Sequence, residues 1–160
     1  PELINQSISE VVELIKIKYE NSVNFDKELN YLEKNLENNK KPILEKLLIL
    51  KTNKYKGHLF LEDQFNDEVN LYLKNIMKEN NSLFNKIFSP YISLSPSSEN
   101  IIIDEKILKL EETKFYINNR NITKAYNIIS EIENYKVFFK VSSNEMKKYN
   151  SFITEISRIK

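Results

Sequence analysis

The sequence has no cysteine and no tryptophan, and its only glycine and only histidine are the neighbours Gly57 and His58. Without cysteine the chain has no disulfide framework, no thiolate nucleophile and no thiolate metal site. One glycine is too few for a phosphate-binding loop, which needs several, and tight hairpin turns usually need glycine as well. No apolar run approaches the roughly 18 residues of a transmembrane helix. These absences favour an all-helical chain and exclude the common nucleotide-binding loops.

The charges are nearly balanced, with 24 lysines and arginines against 23 aspartates and glutamates in 160 residues. Lysines alternate with glutamates along the predicted helices, which indicates solvated helix faces. The balance argues against nucleic-acid binding, because that binding depends on clustered cations. A chain of this length buries roughly 70% of its extended surface on folding. We therefore predict one helical domain over residues 1–160.

Apolar residues recur at the three- and four-residue spacing of a helix along most of the sequence. This periodicity predicts an all-α fold, either an antiparallel helical bundle or a short array of helical hairpins, with about six to eight helices. Pro42 suits the first turn of a helix, and a break is expected between Thr52 and Gly57. The predicted helices cover residues 2–19, 25–36, 42–50, 58–77, 104–117, 122–132 and 142–159.

Four local patterns give sharper expectations. The helix over 42–50 is apolar on nearly every side, which predicts a central position in the domain. Ser142-Ser143-Asn144-Glu145 fits the capping box, so Ser142 is predicted to cap the C-terminal helix. Phe115 occupies a predicted core-facing position, and Asn66-Asp67 is a point at which the helix over 58–77 could divide.

The segment 104–134 predicts two helices folded back on each other, joined by the polar turn 118–121. This turn and Ala125 resemble the inter-helix turn of the tetratricopeptide family and the small residue that opens its second helix. The resemblance covers about 30 residues, without a clean 34-residue period, and implies a scaffold that binds other proteins. Residues 19–27 can also be aligned on residues 116–124, with Asn21 on Asn118, which suggests an internal repeat.

Candidate chemical groups are few. His58 has no partner nearby in the sequence for a ligand or base role, so we interpret it as an incidental histidine at a helix end. The carboxylates of Glu62, Asp63, Asp67 and Glu68 lack the calcium-loop pattern and are interpreted as a solvated helix face. We therefore predict no catalytic residue, no metal site and no cofactor.

The segment 89–100 is the longest predicted non-helical stretch and is an irregular loop rich in serine and proline. Tyr91, Ile92 and Leu94 lie among these polar residues. Apolar side chains in a loop either cover the core or contact a partner. We predict that these three residues form the protein-binding site.

Lysine, asparagine and isoleucine are in excess, and these three residues are encoded by AT-rich codons. Together with charge-laced helices and no cysteine or tryptophan, this composition resembles the helical ectodomains of Borrelia-type spirochaete lipoproteins. The resemblance implies a non-enzymatic protein of the bacterial cell envelope, periplasmic or surface-exposed, that binds an envelope or host protein. A lipid anchor would then lie outside this segment, because the chain begins at Pro1 and reads as a piece of a longer protein.

Two other functions stay open from the sequence. One is an enzyme whose acidic residues converge only in the fold. The other is a nucleic-acid-binding protein of a mobile element, which would need a basic stripe. A cytoplasmic location also stays open, and the sequence does not give the oligomeric state.

Overall fold

The computed structural model describes residues 7–79 and 105–159, and all regular secondary structure in these ranges is helical. The all-α prediction is therefore confirmed. Short 3-10 turns lie at Asn38–Lys40 and Ser157–Ile159. The α-helices are α1 (Ile8–Glu20), α2 (Asp26–Asn35), α3 (Lys41–Thr52), α4 (His58–Glu79), α5 (Glu105–Asn118), α6 (Ile122–Ile129), α7 (Tyr135–Phe138) and α8 (Lys140–Ile156).

Helix α8 is the central element of the fold. It packs against α1, α3, α4, α6 and α7, because Met146, Phe152 and Ile156 lie on one helical face and are fully buried. Helices α5 and α6 pack most extensively against each other, as the predicted hairpin requires. None of the helices within 7–79 and 105–159 combines the length and the apolar composition needed to cross a membrane.

The core is centred on stacked aromatic rings that join distant parts of the chain. The ring centroids of Tyr19 in α1 and Phe152 in α8 are 3.8 Å apart, with an angle of 10° between the ring planes. Phe25 meets Phe152 edge to face at 5.5 Å. Such pairs add about 0.5–1.5 kcal/mol each beyond their buried area. The N-terminal helices are therefore held to the C-terminal helix by aromatic contacts.

The prediction that α3 is central is wrong. Leu44 and Leu47 are buried, but the side chains of Leu48 and Ile49 are 46% and 69% exposed. Among the described helices α3 packs mainly against α2 and α8. Leu48 and Ile49 therefore face outward, because a helix that is apolar all round is buried only where partners surround it.

The predicted capping box at the start of α8 is also wrong. The helix begins at Lys140, and its first amides are capped by Glu68 of α4. The Glu68 carboxylate accepts hydrogen bonds from the backbone N–H of Val141 at 2.8 Å, from that of Ser142 at 3.0 Å, and from the Ser142 hydroxyl. A carboxylate from another helix thus replaces the local cap, and Glu68 is buried rather than solvated.

A capping box does form at the other end of the chain. The backbone N–H of Ser7 donates to the Glu10 carboxylate at 2.7 Å, and the Glu10 N–H donates to the Ser7 hydroxyl at 3.3 Å. This reciprocal pair starts α1 at Ile8. The S-x-x-E pattern therefore marks a helix start at Ser7 and not at Ser142.

The turns between α1 and α2 and between α5 and α6 have the same geometry. Asn21 and Asn119 each donate a side-chain hydrogen bond of 2.8 Å to the carbonyl four residues earlier. The next residues, Ser22 and Arg120, have φ values of 57° and 58°, the left-handed conformation that commonly ends helices. The structural match pairs Asn21 with Asn119, one residue away from the alignment predicted from the sequence.

Other local predictions have mixed outcomes. Pro42 lies in the first turn of α3. The helical structure is interrupted between Thr52 and His58, as expected. Helix α4 runs through Asn66-Asp67 without division. The side chain of Phe115 is 59% exposed, so its predicted core position is wrong. On α5 the buried positions are instead those facing α6 and α4: Leu110, Thr113 and Ile117.

Candidate functional site

A cleft of about 620 Å³ lies beside α7 and the first half of α8. Lys56, from the connection between α3 and α4, and Tyr126, from α6, complete its wall. We call this feature the basic cleft, since five of its lining residues are lysines and one is a glutamate. The lining residues are Lys56, Tyr126, Tyr135, Lys136, Lys140, Val141, Ser143, Asn144, Glu145, Lys147 and Lys148.

The register of α8 explains why its lysines point into the basic cleft. Lys140, Asn144, Lys147 and Lys148 are separated by three, four, seven or eight residues, or adjoin, so they share one helical face. The buried stripe of α8, which includes Phe152, lies on the opposite face. The core stripe that fixes the rotation of α8 therefore also fixes the position of its cations.

Most of the cations in the basic cleft have no carboxylate partner among residues 7–79 and 105–159. Of the five cleft lysines, only Lys148 forms an ion pair with a described residue, at 2.7 Å to Glu145. The Lys56 ammonium lies 4.4 Å from the ring centroid of Phe60, and Lys136 lies over Tyr135. Lysine side chains without counter-charges in one concave site favour an anionic ligand.

The single carboxylate of the basic cleft is fully engaged. Glu145 is 2% exposed, and one of its oxygens accepts the backbone N–H of Lys56 at 2.8 Å. The other oxygen accepts the Lys148 ammonium at 2.7 Å. A buried carboxylate needs such partners, because an unpaired charge away from water is costly. Glu145 therefore joins the connection before α4 to α8.

Two tyrosine hydroxyls lie together at the wall of the basic cleft. The oxygens of Tyr126 and Tyr135 are 3.5 Å apart, and the rings meet edge to face at 6.4 Å with an interplanar angle of 82°. The hydrogen bond with Tyr126 raises the pKa of Tyr135, and burial raises it further. The two tyrosines are therefore held together at this wall through both their hydroxyls and their rings.

A second polar cluster lies where the two equivalent turns meet. The Arg120 guanidinium is 3.4 Å from the carboxylate of Glu20, and the Tyr149 hydroxyl donates to the other Glu20 oxygen at 3.2 Å. Burial, and then the charge of Glu20, raise the pKa of Tyr149. Its neighbour Tyr55 is fully buried, which raises the pKa of that phenol as well. These contacts join α1, the α5–α6 turn and α8, so we interpret the cluster as structural.

His58 begins α4, in the helix-end position that the sequence predicts, and it is buried. Its Nε2 atom is 3.9 Å from the Glu62 carboxylate, and its Nδ1 atom has no hydrogen-bond partner among the described residues. Burial lowers the pKa of His58, and the nearby Arg120 charge lowers it further. The imidazole is therefore neutral at pH near 7.

The predicted contact residues Tyr91, Ile92 and Leu94 lie outside the described ranges. Their assignment as a binding site stays a prediction. Among residues 7–79 and 105–159, no three His, Cys, Asp or Glu side chains are placed to hold one metal ion together. The acidic positions of α4 separate in the fold, since Asp63 and Asp67 are exposed and Glu68 turns inward.

Sequence reasoning missed the basic cleft. Four of its lysines lie between 136 and 148 and could have been noticed as a local cationic run with one-sided spacing. The alternation of lysines with glutamates along the predicted helices instead favours a solvated face. The addition of Lys56 has no sequence signal, since this residue is brought in from the α3–α4 connection.

Comparisons with known proteins give no relative for this arrangement. No protein-family model matches the chain, and no curated protein or solved structure matches it either.

Proposed function

We propose that this chain is a non-enzymatic protein-binding module whose basic cleft receives an acidic segment of another protein. The observation that carries the proposal is the set of four lysines in the cleft that lack carboxylate partners within the described ranges: Lys56, Lys136, Lys140 and Lys147. Elsewhere in the described ranges several cations are paired, for example Lys18 with Glu28 and Arg158 with Glu155. Unpaired cations in a concave site attract and orient an anionic partner.

The chemistry of the basic cleft favours an acidic protein segment over nucleic acid. Base recognition in single strands depends on aromatic rings with free faces. Here Tyr126 and Tyr135 pack edge to face on each other, and the ammonium of Lys136 lies 5.8 Å from the Tyr135 ring centroid. The chain as a whole has a formal charge of only +1. A short acidic segment needs only the local charge of the cleft.

The cell-envelope location is a separate part of this proposal. It is supported by the compositional resemblance to spirochaete lipoprotein ectodomains and by no other observation. The envelope or host identity of the partner and the contact through Tyr91, Ile92 and Leu94 likewise stay predictions.

The proposal is tested by measuring binding of a fluorescein-labelled polyglutamate peptide by fluorescence anisotropy at low salt. The variant Lys140→Gln/Lys147→Gln removes two unpaired cations of the basic cleft. We expect this variant to weaken binding roughly tenfold, because each exposed charge contact contributes up to about 1 kcal/mol. The matched control is Lys27→Gln/Lys34→Gln, which removes two exposed lysines of α2 and changes the net charge equally.

The control variant should bind the peptide like the wild type. Equal losses in both variants would mean that only net charge matters, and an absence of wild-type binding would refute the proposal. A single-stranded oligonucleotide serves as the competing ligand. If the oligonucleotide binds through the same lysines and much more tightly than polyglutamate, the nucleic-acid function replaces the protein-binding one.

A further inference from the structure

We propose that Glu145 is an internal competitor of the ligand in the basic cleft. Its carboxylate holds Lys148 and thereby limits how tightly an anionic segment binds. This inference rests on the proposed function of the cleft and adds a residue that sets its affinity. It makes the ion pair between Glu145 and Lys148 part of the binding equilibrium.

The geometry gives Glu145 two separable roles. One oxygen accepts the backbone N–H of Lys56 at 2.8 Å, which is a structural contact that holds the α3–α4 connection against α8. The other accepts the Lys148 ammonium at 2.7 Å, and Lys148 lines the cleft. An arriving carboxylate has to share or replace the second contact but can leave the first unchanged.

The charge of Glu145 opposes the same ligand that the lysines attract. Because Glu145 is 2% exposed, water screens its charge less than it screens charges on the open surface. Replacement by glutamine removes the negative charge and keeps a carbonyl oxygen for the Lys56 N–H. Such a variant frees the Lys148 ammonium while retaining the structural contact.

The chain contains a matched pair outside the basic cleft. Glu28 of α2 is also buried, and one of its oxygens accepts the ammonium of Lys18 at 2.6 Å. Neither residue lines the cleft. Glu28→Gln therefore makes the same chemical change in the same kind of buried ion pair, at a place where no ligand is proposed to bind.

The experiment measures polyglutamate binding by wild type, Glu145→Gln and Glu28→Gln at several salt concentrations. We expect Glu145→Gln to bind roughly three- to tenfold more tightly at low salt, and its salt dependence to rise by about one released ion. Glu28→Gln should bind like the wild type. The double variant Glu145→Gln/Lys148→Gln should return to near wild-type affinity, because the net charge of the cleft is then restored.

Two results overturn this inference and leave the proposed function standing. In the first, the wild type binds polyglutamate and Glu145→Gln binds it no more tightly. In the second, the tighter binding of Glu145→Gln persists in the double variant. No binding by the wild type or by any variant overturns both. If Glu145→Gln does not fold, the wild type still decides the question through the ¹⁵N signals of its lysine ammonium groups. A Lys148 signal that shifts with bound polyglutamate supports the inference, and one that stays fixed while Lys140 and Lys147 shift contradicts it.

Discussion

Gly57 is a residue whose backbone conformation no other amino acid adopts without strain. Its φ is +102°, a region that side chains with a Cβ rarely occupy. A Cβ at this position would also lie 3.2 Å from the Cβ of Ser22 in the α1–α2 turn. The only glycine in the sequence therefore ends the α3–α4 connection where it passes closely beside the α1–α2 turn.

We predict that Gly57→Ala lowers the free energy of unfolding by about 1–3 kcal/mol, because alanine must adopt a strained backbone conformation next to Ser22. Urea denaturation followed by circular dichroism measures the change. Asn53→Ala is the matched control, since Asn53 is an exposed residue of the same connection with φ of −113°. The control should change stability by less than about 0.5 kcal/mol; equal effects would contradict the proposed role of Gly57.

At the scale of helices, the start of α8 depends on a carboxylate from α4. Glu68 satisfies two backbone N–H groups at Val141 and Ser142 and places a negative charge at a helix N-terminus, where the helix dipole favours it. The basic cleft is built on the turn of α8 that follows. The position of its lysines thus depends on a contact between residues more than 70 positions apart.

We predict that Glu68→Gln destabilises the protein by about 1–3 kcal/mol, since a buried charged hydrogen-bond acceptor is lost and one amide is left unsatisfied. Thermal unfolding followed by circular dichroism gives the measurement. Asp67→Asn, an exposed neighbour on the same helix, removes an equal charge and should have little effect. A wild-type melting temperature in Glu68→Gln would show that the cap does not contribute to stability.

The helix boundaries differ in how well the local sequence predicts them. The α5–α6 hairpin was predicted because its turn chemistry is local: Asn119 and Arg120 end one helix and Asn121 caps the next, accepting the Lys124 N–H at 3.2 Å. The start of α8 was predicted wrongly, because Glu68 is remote in sequence and a local Ser-x-x-Glu pattern was available at 142–145. Turns depend on neighbouring residues and can therefore be predicted from the local sequence. A helix cap that comes from a remote helix gives no signal in the local sequence.

At the scale of the whole molecule, the same distinction applies to the candidate site. The periodicity of α8 made its lysine-bearing face predictable, but the cleft needs Lys56 and Tyr126 from other elements. The apolar residues on nearly every side of α3 likewise predict a central position, although Leu48 and Ile49 face outward. The sequence shows which helices carry apolar side chains. Only the packing of the helices decides which of these side chains are buried.

Global stability should depend on pH through His58. Burial and the Arg120 charge lower the pKa of the imidazole in the folded protein below its ordinary value of about 6.5, while Glu62 and Glu20 oppose this shift. Below about pH 6.5 the unfolded chain binds a proton that the folded chain excludes. The free energy of unfolding therefore falls as the pH is lowered from about 7.5 to 5.5, and is regained as the pH rises.

Urea denaturation across this pH range tests the prediction. His58→Leu has no titrating group at this position and should show a smaller loss of stability on acidification than the wild type. The comparison uses the slope with pH, so a constant difference between the two proteins does not affect it. Parallel slopes for wild type and His58→Leu would contradict the assignment to His58.

The stacked rings of Tyr19 and Phe152 have a consequence for biosynthesis. A ribosome adds about 5–20 residues per second, so Phe152 is made roughly 7 to 27 seconds after Tyr19. During this interval the face of α1 that later packs on α8 has no partner from that helix. The nascent chain is therefore open to aggregation and proteolysis until α8 leaves the ribosomal tunnel.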